Sequence, residues 1–131
     1  QHLSVGREGW NSFYVDEGDN LGWLGYFIGR SSCLPRLFIN YLPDGEEGHA
    51  FSAGIARSQS IRHINIHSLN NDAFISIMRA LHGLSQLEKL DIDDNSSVGP
   101  DGWSELRNLL ESGGCKLKQL CLKGNNYIGN E

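Results

Sequence analysis

One spacing pattern constrains the fold of this chain more than any other feature, and residues 87–95 (LEKLDIDDN) show it best. Leu87 is followed by Leu90 and Ile92 at +3 and +5, and by the polar residue Asn95 at +8. The apolar part of the pattern starts again near residues 10, 34, 61 and 117, so the period is 24 to 30 residues. All 15 of these positions are apolar, although only 39% of the chain is. A period of this length predicts stacked copies of one strand-and-helix unit.

Helical periodicity fills the intervals between the predicted strands. Phe74, Ile77, Met78 and Leu81 are spaced i, i+3, i+4 and i+7, which predicts one apolar face of a helix that begins after an N-cap near residues 70–72. Residues 21–28 show the same periodicity. The glycines at positions 22, 25 and 29 should weaken that helix, each by up to ~1 kcal/mol relative to alanine. Further helices are expected up to about residue 57 and at 100–110.

The pattern resembles the ribonuclease-inhibitor type of leucine-rich repeat. The resemblance is closest at residues 87–95 and 114–129 (GCKLKQLCLKGNNYIG), and the G-x-x-G turns at residues 45–48 and 99–102 add to it. It implies an α/β solenoid, a horseshoe segment with a parallel sheet on the concave face, helices on the convex face and about five strand units. Residues 10–131 would form this domain after an irregular lead-in at 1–9. We expect the chain to be a fragment of a longer array, whose ends pack on further repeats or on another chain.

The turn after each strand departs from that family's pattern in the first half of the chain. Asn95 and Asn125 fill the position whose side chain typically bonds the backbone of neighbouring turns. Leu42 and Leu69 occupy it in the two preceding units, and Gly18 in the first. We therefore expect differently packed turns in the first half. Asn95 also begins a formal glycosylation sequon (Asn-Ser-Ser), but an inward-turned side chain should remain unmodified.

Charge and cysteine content narrow the classes of partner. The net charge is −5 and the basic residues are scattered, whereas phosphate binding needs clustered Lys and Arg, so we expect neither nucleic acid nor a membrane as partner. No apolar run approaches the ~18 residues of a membrane helix. The three cysteines form an odd set without dense spacing, which indicates a reduced, intracellular and cytoplasmic setting rather than a disulfide framework.

Residues with metal-binding chemistry occur, but their spacing predicts no site. Residues 91–95 (DIDDN) start like an EF-hand calcium loop, yet Ser96 and Gly102 stand where that loop needs Gly and Glu. His63 and His67 would be ~13 Å apart on one strand face, too far to share a metal ion. No Ser/His/Asp or Cys/His set follows from the spacing either. We expect no catalytic residues, no metal and no cofactor.

In-register stacking of the strands places three columns of side chains on the outward sheet face. The central column is Tyr14, Phe38, Asn65, Asp91 and Cys121. The flanking columns are Ser12, Arg36, His63, Lys89 and Gln119 on one side, and Asp16, Asn40, His67, Asp93 and Lys123 on the other. Exposed aromatic residues beside charged groups are typical of protein-binding surfaces. The candidate binding residues are Tyr14, Asp16, Arg36, Phe38, Asn40, His63, Asn65, His67, Lys89, Asp91, Asp93 and Lys123.

The resemblance implies a non-catalytic module that binds a protein partner through its concave sheet face. The alternative is a targeting or substrate-recognition segment of a larger enzyme, such as a ubiquitin ligase or kinase. A small metal-binding protein is a third hypothesis, which calcium and zinc titrations would test.

Overall fold

A computed structural model describes residues 3–4, 12–15, 21–32, 34–42, 45–95, 97–112 and 117–123 of the chain. Strands and helices alternate from the second strand onward. Within the described residues the elements are β1 (Leu3–Ser4), β2 (Ser12–Val15), α1 (Leu21–Arg30), β3 (Arg36–Ile39), α2 (Glu46–Ile55), β4 (His63–His67), α3 (Asn71–Leu81), β5 (Lys89–Asp93), α4 (Pro100–Glu111) and β6 (Gln119–Lys123).

The strands form one sheet in chain order, from β1 to β6. Strands β2 to β6 pair in parallel, and one helix lies in each connection between them, so the predicted α/β class with a parallel sheet is confirmed. Within the lead-in expected at 1–9, residues 3–4 form a short strand. These residues pair antiparallel with β2. They satisfy hydrogen-bonding groups along the edge of β2, a role that the spacing of the parallel units does not encode.

The core lies between one face of the sheet and the helices. Alternate residues of β3, β4 and β5 point into it, which are Leu37, Ile39, Ile64, Ile66, Leu90 and Ile92, all fully buried. Helix residues such as Phe51, Phe74 and Ile77 complete the same cluster. We call the opposite face of β3 to β6 the open face. Its described side chains are Arg36, Phe38, His63, Asn65, His67, Lys89, Asp91, Asp93, Gln119 and Cys121.

Local signals explain where the central helices begin. The side chain of Asn70 accepts a hydrogen bond from the Ala73 N–H at 2.9 Å, which confirms the N-cap predicted for α3. Pro100 occupies the first turn of α4, where a missing N–H costs nothing. Helix α2 ends at Ile55, two residues before the predicted end.

Helices α1 and α2 pack backbone to backbone at three glycines. A Cβ atom added to Gly25 would lie 2.7 Å from the Phe51 Cα atom, and one added to Gly29 would clash with the Gly54 carbonyl oxygen. A Cβ atom on Gly54 would in turn clash with the backbone of Gly25. Two of the glycines that lower the helix propensity of α1, Gly25 and Gly29, are therefore residues that let α2 approach.

Helices α3 and α4 pack through side chains. The rings of Phe74 and Trp103 meet edge to face with their centroids 5.0 Å apart. On the exposed side of the same helix pair, Arg79 and Glu105 form an ion pair at 3.1 Å. The two helices are held apart by ring-sized groups rather than by backbone contact.

Asn95 ties together the turns that follow β4 and β5, and its side chain is only 1% exposed. Its Oδ1 accepts the Leu69 N–H at 2.7 Å, and its Nδ2 donates to the carbonyl oxygens of Ile66 and Asp93 at 3.1 and 2.9 Å. The predicted inward orientation of Asn95 is confirmed. Leu42 and Leu69, at the equivalent positions of earlier units, are buried as apolar residues instead.

The starts of the strands repeat one hydrogen-bond arrangement. The Pro35 carbonyl accepts the N–H groups of both Arg62 and His63, at 2.8 and 2.9 Å. The Arg62 carbonyl accepts those of Glu88 and Lys89, and the Glu88 carbonyl those of Lys118 and Gln119. This repetition holds β3 to β6 in a single register. None of the described helices has the length and apolarity needed to cross a membrane.

Candidate functional site

The register of the sheet confirms the predicted columns of the open face. Tyr14, Phe38, Asn65, Asp91 and Cys121 are successive Cα partners. The flanking columns contain Ser12, Arg36, His63, Lys89 and Gln119, and His67, Asp93 and Lys123. Two further candidates stand apart from these strands: Asn40 lies in the bend after β3, and Asp16 lies outside the described residues. For Tyr14 and Lys123 the description covers the backbone only.

A carboxylate–imidazole pair occupies the middle of the open face. His63 Nε2 lies 2.8 Å from Asp91 Oδ2, and the two side chains are 20% and 15% exposed. The contact is diagonal, because the direct Cα partner of His63 is Lys89. Lys89 Nζ approaches the same Asp91 oxygen to 3.9 Å. The sequence predicted the columns but not this diagonal pairing, which depends on side-chain direction.

The environment of Asp91 favours its charged form. Burial raises the pKa of this carboxyl, but hydrogen bonds from His63 and Cys121 and the positive charges of His63 and Lys89 outweigh that cost. The net result is a pKa below the ordinary value of 3.8. Asp91 is therefore a fixed negative charge that is compensated by its own neighbours.

Two more contacts extend this centre across the strands. The rings of Phe38 and His63 lie with their centroids 5.9 Å apart, tilted by 58°. Toward the other end of the strands, Asn65 Nδ2 donates to Asp93 Oδ2 at 3.4 Å. Phe38, His63, Asn65, Asp91 and Asp93 thus form a continuous surface on three adjacent strands.

The carboxylate that contacts His67 belongs to Asp94, not to Asp93, which is the Cα partner of His67. His67 Nε2 lies 3.3 Å from Asp94 Oδ2, and His67 Nδ1 lies 3.1 Å from the Ser68 hydroxyl. Sequence reasoning missed both partners. Ser68 and Asp94 have positive φ angles of 59° and 49°, and this left-handed conformation redirects the residue that follows each strand. Ser68 and Asp94 occupy equivalent positions in successive repeats, and this equivalence is the sequence signal that could have identified them.

This trio contains the residue types of a hydrolytic Ser/His/Asp triad, which also needs donors for a developing oxyanion. The backbone amides nearest the hydroxyl are already used. The Ser68 N–H donates to the Asp93 carbonyl at 3.3 Å, and the Leu69 N–H donates to Asn95 Oδ1 at 2.7 Å. The trio therefore fits a polar surface contact better than an acyl-transfer centre.

The described residues bring together no metal site. Among them, no group of three or more His, Cys, Asp or Glu side chains has the arrangement to hold a metal ion. Asp91 and Asp93, the first two aspartates of the EF-hand-like stretch, are instead engaged by His63 and Asn65. Cys121 is a free, half-buried thiol at the end of the central column.

Comparison of this chain with family models, with curated proteins and with solved structures produced no match in any of the three searches.

Proposed function

We propose that the chain is a segment of a leucine-rich-repeat solenoid of the ribonuclease-inhibitor type, and that it binds a protein partner through the open face without catalysing a reaction. The supporting architectural features are the chain-order parallel sheet, the single helix in each connection and the repeated hydrogen bonds at the strand starts. The turn bonding of Asn95 is a further one.

One observation carries the functional part of the proposal. Because the helices pack on the other face, the open face presents aromatic, imidazole and charged side chains side by side on a rigid, in-register sheet. Arg36 and Asn40 are exposed, and the side chain of His67 is 44% exposed. Rigid elements that carry partly exposed aromatic and charged groups can bind a protein surface with little loss of conformational freedom.

Photocrosslinking from two matched asparagines tests this function. A photoreactive benzoyl-phenylalanine replaces Asn65 on the open face in one variant and the exposed Asn108 on α4 in the other. Both proteins are irradiated in lysate of the source cells, and adducts are identified by mass spectrometry. We expect a specific adduct from position 65 that an excess of wild-type protein suppresses. Equal adducts from both positions, or none from position 65, would contradict the proposal.

The same experiment distinguishes the alternative role in a larger enzyme. If the chain is the substrate-recognition segment of such an enzyme, the protein crosslinked at position 65 is a substrate. Its modification state should then change when the Asp91→Lys variant replaces the wild-type chain. A partner whose modification is unchanged supports the simple binding module.

A further inference from the structure

The open face and its margins are electrically polarised along the strand direction. Arg36 and Lys89 stand at the amino-terminal ends of β3 and β5, and the exposed Lys118 immediately precedes β6. Arg62 precedes β4 and pairs with Glu88 at 3.2 Å, so these two charges cancel. Arg36 and Lys118, together with Lys89, which also approaches Asp91 at 3.9 Å, form what we call the basic margin.

The opposite margin is negative at the end of β5. Asp93 ends β5 and Asp94 follows it, with the Asp94 side chain 63% exposed. Residues 89 and 93 of one strand are four residues apart, so the two margins are separated by about 13 Å. The register partners of Asp93 on the neighbouring strands are His67 on β4 and Lys123 on β6, which confines the negative margin to β5.

Among the described side chains, no lysine or arginine neutralises the negative margin. Asp93 accepts an amide hydrogen bond from Asn65, and Asp94 contacts the imidazole of His67. Of the ion pairs between described side chains, none joins either carboxylate to a lysine or an arginine. Asp91, between the two margins, differs because His63 and Lys89 compensate it.

We infer that the partner bound by the open face is a protein segment with the opposite polarity. Its Arg or Lys lies at Asp93 and Asp94, its Asp or Glu lies at the basic margin, and an apolar side chain between them covers the tilted Phe38–His63 ring pair. This inference rests on the proposed function. Such complementarity fixes the direction in which the segment lies and accelerates its association.

A phage-displayed library of random dodecapeptides, panned on the whole protein, tests the inference. Peptides that the photoreactive residue at position 65 crosslinks are the open-face binders. We expect most of them to carry a basic and an acidic residue separated by about 13 Å of peptide, roughly four extended residues. If these binders carry no such pair of charged residues more often than the unselected library does, the inferred polarity of the partner is wrong.

Charge-reversal variants of the protein then measure how much the negative margin contributes to the binding affinity. Asp94→Lys should lower the affinity for a selected synthetic peptide about tenfold. Replacing the basic residue of the peptide by Glu should restore its binding to that variant. Glu111→Lys, a reversal of an exposed acid at the end of α4, is the matched control and should change affinity less than twofold. Circular dichroism verifies that both variants are folded.

The possible failures are distinguishable. If no selected peptide crosslinks at position 65, the open face is not the binding surface and the proposed function fails with the inference. If peptides crosslink there but Asp94→Lys binds them as well as wild type does, the function stands and the polarity is overturned. A third outcome is that light scattering detects a salt-sensitive dimer that the Asp94→Lys variant does not form. That result would identify a second copy of this chain as the occupant of the open face and would overturn the inference of a separate partner.

Discussion

The α1–α2 contact and the α3–α4 contact both join neighbouring helices, but the first is a contact between backbones and the second a contact between side chains. Gly25 and Gly54 bring the first two helices into backbone contact, whereas Phe74 and Trp103 separate the second two by a pair of rings packed edge to face. The turns differ as well, because the turn before α2 buries the apolar Leu42 and the turn before α4 buries the hydrogen-bonding Asn95.

The difference shows that a repeated strand spacing does not impose a repeated helix contact. In the first region, stability depends on the absence of side-chain atoms, so added volume is the damaging change. In the second it depends on buried side chains and satisfied polar groups, so lost atoms are the damaging change. Added atoms at the glycines of the first contact and removed atoms at the rings of the second should therefore each destabilise the protein.

The largest expected effect is from Phe74→Ala at the α3–α4 contact. Phe74 is fully buried, and truncating such a ring leaves a cavity against Trp103, so the free energy of unfolding should fall by about 4 kcal/mol. Urea unfolding followed by circular dichroism measures it. Phe74→Leu, which keeps most of the volume, should lose less than half as much. Equal losses would show that ring contact, rather than filled volume, holds this helix pair.

Asn95→Leu makes the fourth turn resemble the earlier ones in sequence and should still destabilise it. The Leu69 N–H and the Ile66 carbonyl would lose their partner in a buried setting, at about 3 kcal/mol in total. Thermal unfolding and amide exchange at Leu69 measure the effect. If the variant is as stable as wild type, leucine and asparagine turns are interchangeable and the contrast between the regions disappears.

Gly54→Ala tests the backbone contact of α1 and α2. Alanine gains up to ~1 kcal/mol in helix propensity, but its Cβ would clash with the Gly25 backbone, and overpacking costs up to about 3 kcal/mol. We expect a net loss of about 2 kcal/mol in urea unfolding. Ala53→Gly, at an exposed position of the same helix, is the control, because it measures helix propensity alone and should cost about 1 kcal/mol. A stabilised Gly54→Ala protein would mean that the helices separate freely.

The smallest expected effect concerns Asp91 on the sheet side of the second region. Its folded pKa lies below 3.8, so its stabilising contribution is fully present above that value and is lost as pH falls through the folded pKa. Asp91→Asn should cost about 1 kcal/mol at pH 7 and progressively less below pH 4. Urea titrations of both proteins across pH 2 to 7 measure the difference. A difference that is constant with pH would exclude the charge of Asp91 as its source.

The register of the sheet could be predicted from sequence because strand side chains alternate, so a single aligned apolar column determines the polar ones. Phe38, Asn65 and Asp91 therefore fall where the spacing predicts. The helix formed by residues 71–81 was equally predictable, since its apolar face and its Asn70 cap are local.

Features that depend on a neighbouring backbone could not be predicted in this way. Gly25 and Gly54 read as weak helix formers, since nothing local shows that another helix approaches them. The left-handed turn at Asp94 brings that carboxylate, rather than Asp93, to His67. For the same reason the antiparallel pairing of residues 3–4 is invisible to a pattern defined by parallel units.

The chain-order arrangement of strands has a kinetic consequence. Register partners in neighbouring parallel strands lie 24, 27, 26 and 30 residues apart, so every parallel strand pair closes a loop of nearly the same length. The entropy of closure varies with the logarithm of loop length, and these loops differ by only about 0.2 kcal/mol. Chain distance thus gives none of the parallel pairs a kinetic advantage in folding. We expect the β4–β5 pair, which Asn95 bridges, to nucleate assembly, with growth outward from it in both directions.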